Sequence, residues 1–144
     1  MDYETCEAEC EKIRAENQLL LDAFQEDLKA KKLSQKTIDK HVSNIDFYIN
    51  DFLLYEDAEP PEDGVILLNY FFSSWFIRKA MWASAASIKE NITSLKKFYG
   101  FLEEKGRIEP DEYLDMLQEI KESKEEWLEN LRKYDQETAS SDFW

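Results

Sequence analysis

The chain has 144 residues, with 32 acids against 18 bases and a formal charge of −14. Hydrophobic residues at 43% suffice for a core, and only three glycines and three prolines argue for a few long helices over a sheet. No stretch reaches the roughly 18 apolar residues of a membrane span, and the acidic start MDYETCEAEC lacks the apolar run of a signal peptide, so a cytoplasmic location with no membrane partner is expected.

The charge is unevenly spread. Residues 1–27, 51–77 and 108–144 carry net charges of −7, −6 and −8, whereas residues 28–50 and 78–107 carry +3 and +4. The bases are concentrated in two middle segments.

Residues 5–32 read as a helix, since Cys6, Cys10, Ile13, Leu20, Phe24 and Leu28 follow a four-three spacing with Asn17 in the missing place. Its denser part starts near Leu19, which divides the chain into an acidic helical extension (1–18), a helical domain (19–134) and a mobile tail (135–144). Cys6 and Cys10 share a helix face, but one cysteine pair without a nearby histidine points to free thiols, not to a metal site.

Ser34 opens a second helix, with Leu33 and Ile38 placed as a hydrophobic staple. Ile38, Val42, Ile45, Ile49 and Phe52 form its buried stripe, Lys36 and Lys40 lie opposite, and the helix is expected to end near Tyr55. The run EDAEPPEDG (56–64) reads as a solvated loop. Residues 65–79 are apolar on nearly every side and read as a buried helix.

The clearest element runs from Ser84 to Gly106. Ile88, Ile92, Leu95, Tyr99 and Leu102 step by four and three, Ser84 suits the N-cap and Gly106 the left-handed closing position. Its other face holds Ala86, Lys89, Thr93, Lys96, Lys97 and Gly100, with no carboxylate among them. A fifth helix starts at Pro110, and Tyr113, Leu117, Ile120, Lys124, Trp127, Leu131 and Tyr134 make a coiled-coil-like seam broken at Lys124. The expected fold is all-α, a compact bundle of about five helices.

No catalytic constellation is visible. The single histidine, His41, borders an apolar stripe, and there is no phosphate-cradling glycine loop, nucleophile elbow or paired metal-ligand motif. The expectation is a protein that is not an enzyme and needs no cofactor.

Two motifs carry a family resemblance: Leu33, Ser34 and Thr37 at a helix start, then Leu95, Lys96, Phe98, Tyr99, Phe101 and Leu102 ahead of Gly106. In order and spacing they resemble the N-terminal core-binding domain of tyrosine recombinases, the phage-integrase group, over about residues 19–134. The resemblance implies a SAM-like helical bundle whose second and fourth helices face DNA. The family's catalytic residues belong to a separate domain, and no His-x-x-Arg can be placed here, because Val42, Ser43 and Asn44 follow His41. A DNA-binding module without strand cleavage is therefore implied.

The helices that face DNA in that family are those of the two net-positive segments here. The candidate DNA-binding residues are Lys36, Lys40, Lys89, Thr93, Lys96 and Lys97, and the leading expectation is contact with double-stranded DNA as a recombination accessory or integrase remnant. The alternative is an acidic protein-interaction module that kept the fold and lost the DNA, meeting a recombinase or a second copy of itself through the helix at 113–134.

Overall fold

A computed structural model describes residues 3–55, 57–80 and 82–141, with side chains for residues 7–137 among them. All regular structure among these residues is helical: α1 (Tyr3–Ala30), α2 (Gln35–Asp46), α3 (Leu68–Tyr70), α4 (Phe76–Lys79), α5 (Ala85–Glu104) and α6 (Pro110–Ser141). Two π-helical turns extend this set. Phe47–Phe52 prolongs α2, and Phe71–Trp75 joins α3 to α4, so that these two short helices are the ends of one rod. Five rods result, and no helix among the described residues is long and apolar enough to cross a membrane.

Local chemistry explains the boundaries. Ser34 caps α2 by accepting the Thr37 N–H at 3.3 Å, while Ile38 is buried and Leu33 packs against the core. Ser84 and Ser87 form a reciprocal capping box at the start of α5. Gly106, at φ +73°, closes that helix with the Arg107 N–H on the Leu102 carbonyl at 2.9 Å.

In space α1 packs on α2, α2 on α5, and α5 on α6, which also covers the α3–α4 rod. The core collects Phe24, Ile45, Leu68, Phe72, Leu95 and Tyr99, one or more from each principal rod except α6. From α6 it takes Met116, Ile120, Trp127 and Leu131. Burial in α1 begins at Asn17, whose amide donates to Asn50 Oδ1 at 2.8 Å; before it only Cys10 and Ile13 among residues 7–16 are even half-buried.

Two expectations change, and of the two readings open for the α6 seam, a partner face or core packing, the structure has the second. The seam on α6 is not offered to a partner: Trp127 is wholly buried, stacked on Phe72 at 4.8 Å, with its indole N–H on Asn69 Oδ1 at 2.8 Å. The acidic loop is not all solvated: a 3₁₀ turn, Pro61–Ile66, tucks Pro61 and Gly64 under the core, where Tyr48 donates to the Gly64 carbonyl at 2.6 Å and Tyr99 to the Pro61 carbonyl at 2.8 Å. The stretch after Asp135 is helical as far as Ser141, a continuation of α6 beyond its apolar stripe. Phe143 and Trp144 lie outside the described residues, as does the side chain of Cys6.

Candidate nucleic-acid interface

Lys36 and Lys40 project from α2, and Lys89, Thr93, Lys96 and Lys97 from α5; all six are exposed. The two helices are in direct contact, and the contact is polar at its outer edge. Lys40 Nζ lies 3.5 Å from Glu90 Oε1, Asn44 donates to Glu90 Oε2 at 3.1 Å and to Ser94 Oγ at 3.0 Å, and His41 Nδ1 sits 2.7 Å from the same Ser94 oxygen. Ser94 spends its own hydrogen on the Glu90 carbonyl at 3.1 Å. Its two lone pairs then receive Asn44 and His41, which places the ring proton of His41 on Nδ1.

His41 is 5% exposed. Burial pushes its pKa below the usual histidine range, Lys97 and Lys40 push it further down, and Glu90 opposes them. Lysines from both helices thus act on one ring buried at the α2–α5 contact.

The strip is not uniformly positive. On α5 the run Lys89, Thr93, Lys96, Lys97 is free of carboxylates, and these lysines make no ion pair among the described residues. Where α2 meets it, Asp39 and Glu90 line the same shallow groove as Lys36 and Lys40. Asp39 is held by Gln35 at 2.7 Å and Glu90 by Lys40. Past Lys97 the strip ends at Glu104, itself paired with Lys31 at 3.6 Å.

Gly100 does not belong to the open face. A Cβ there would lie 3.2 Å from the Tyr113 hydroxyl, which donates to the Lys96 carbonyl at 3.3 Å, so the glycine admits α6. The sequence pattern also gives no warning of Glu90 as the carboxylate between the lysine lines, since its role depends on α2 lying alongside.

No family model, curated protein or solved structure matches this chain. Among the described residues, no group of three His, Cys, Asp or Glu side chains is placed to hold a metal ion.

Proposed function

We propose that the chain is a non-catalytic module that lays α5, flanked by α2, along the backbone of double-stranded DNA. The reading includes the SAM-like, core-binding character of the domains it resembles, and a role beside a recombinase in the cytoplasm. One observation supports it above the rest: the six candidate residues are all exposed, on two helices that pack together, with Lys40 and Lys97 acting on one histidine between them. Backbone binding draws its affinity from counterion release, and a local lysine strip supplies this even on an acidic protein. Self-association through α6 has no such support, because its seam is core.

The test is fluorescence anisotropy on a labelled duplex across a salt series. With Lys36, Lys89, Lys96 and Lys97 each neutralising one phosphate, log affinity should fall against log salt with a slope of about −3.6. Replacing Lys89, Lys96 and Lys97 together by Glu should abolish binding. Undiminished binding by that variant, or none by the parent at about 50 mM salt, overturns the reading.

A further inference from the structure

Phe52, Tyr55, Tyr70 and Trp75 wall a cleft of about 150 Å³, with Asp57 and Glu59 also lining it. The rings touch in sequence: Tyr70 to Phe52 at 6.0 Å, Phe52 to Trp75 at 5.1 Å, Trp75 to Tyr55 at 5.8 Å. Tyr55 and Tyr70 are 55% and 46% exposed, an uncommon position for aromatics that could have joined the core. The inner walls, Phe52 and Trp75, come from the two π-helical turns. Such turns are rare and recur at functional sites. None of these residues belongs to the lysine strip, so the cleft stands independently of DNA binding.

Its chemistry selects an occupant. Residues 51–77 hold six carboxylates and no base. Glu59 is pushed above the usual carboxylate range by its hydrogen bond with Asp63, by burial, and by the charges of Asp63 and Asp57. A cation entering here would relieve that crowding. Ring faces attract cations, and apolar walls suit the methylene stem that carries one. The protein displays this recognition on itself: Lys79 Nζ lies 4.8 Å from the Tyr55 ring centre and donates to its hydroxyl at 3.0 Å. The last clue is an unmet donor. The Trp75 indole N–H is buried without an acceptor among the described residues, and the ring that carries it lines the cleft. An apolar stem that ends in a cation is the side chain of a lysine or arginine.

We propose that this aromatic cleft binds a lysine or arginine side chain within an extended basic segment of a protein partner. The probe is a fluorescein-labelled Gly-Ala-Arg-Ala-Gly peptide, compared with versions carrying lysine, norleucine or glutamate at the centre and with free N-acetyl-lysine amide. Anisotropy should show binding of the arginine and lysine peptides, at least about tenfold weaker binding of the norleucine peptide, and none of the glutamate peptide. That factor corresponds to about 1.4 kcal/mol. Tyr70→Ala leaves the charge untouched and should weaken the arginine peptide about tenfold, as should Asp57→Asn with Glu59→Gln, while circular dichroism confirms that both variants fold. If only the charge variants weaken it, the attraction is the general one of an acidic protein and the proposal fails. It fails equally if norleucine binds as well as arginine, if no peptide binds below millimolar concentration, or if the cleft proves occupied by a second copy of the chain, which sedimentation would report as a dimer that Tyr70→Ala dissolves.

Discussion

Ser94 shows how much one buried hydroxyl can settle. It has three hydrogen-bonding positions, and the Glu90 carbonyl, Asn44 and His41 use all three. The arrangement fixes the crossing of α2 and α5 and holds a ring proton of His41 on Nδ1. Gly64 is fixed just as tightly, because a Cβ there would collide with the Tyr99 hydroxyl and approach Leu53 Cδ1 to 2.8 Å. The histidine yields a prediction with a definite sign. Its folded-state pKa lies below the unfolded one, so the folded protein disfavours the proton. Its stabilising contribution is complete above the unfolded value of about 6.5 and is lost as pH falls through the lowered folded value. Urea unfolding of the parent and of His41→Gln, which keeps a donor for Ser94, should therefore show the parent's advantage shrinking between about pH 7 and 5. Taking the difference removes the carboxylates common to both proteins, including Asp51 and Glu119, whose raised pKa values act in the opposite direction. A difference independent of pH would mean that the ring is not desolvated by the helix contact.

At the scale of elements, α6 decides between a seam for partners and a seam for the core. Its Trp127 is wholly enclosed and hydrogen-bonded. Trp127→Ala should cost about 3–5 kcal/mol by the large-to-small rule and leave the oligomeric state unchanged by sedimentation. A well-folded variant with altered association would restore the seam to a partner. The same helix marks what could be read in advance. Stripes, caps and the positions of the rods follow from local spacing: Ser34, Ser84 and Gly106 each punctuate a helix through bonds to residues within five positions, Pro110 does so by its fixed φ at the first helical position, and such local signals are legible in sequence. Whether a stripe meets its own chain or another depends on contacts such as Phe72 with Trp127, which periodicity does not contain. The π-helical turns were likewise invisible, since their extra residue is stabilised by aromatic packing between segments distant in sequence. Leu33, Ser34 and Thr37 build a cap, and Leu95, Phe98, Tyr99, Phe101 and Leu102 are core. Apart from Lys96, the resemblance to recombinase core-binding domains therefore rests on residues with structural duties here, while the other candidate contacts lie on the faces between them.

For the whole molecule the governing fact is charge segregation. Acid gathers in α1, the 51–63 segment and α6, while the lysines of α5 occupy a strip of their own. Screening over about 8 Å at physiological salt lets such a strip act locally, but every carboxylate inside that radius subtracts from it. Glu90 is the one that matters most, because it both holds Lys40 and lies between the two lysine lines. Glu90→Gln retains an acceptor for Asn44, so the α2–α5 contact should survive with unchanged thermal stability to within about 0.5 kcal/mol, as for most surface changes. Lys40 would then be free for a fifth phosphate. The slope of log affinity against log salt should steepen from about −3.6 to about −4.5, and duplex affinity at low salt should rise several-fold without change in sequence preference, since a phosphate contact carries no base information. Lys40→Ala on top of Glu90→Gln should return the slope to its starting value. If Glu90→Gln leaves both slope and affinity unchanged while the protein stays folded, DNA does not approach along the α2–α5 groove, and α5 alone would have to carry the contact.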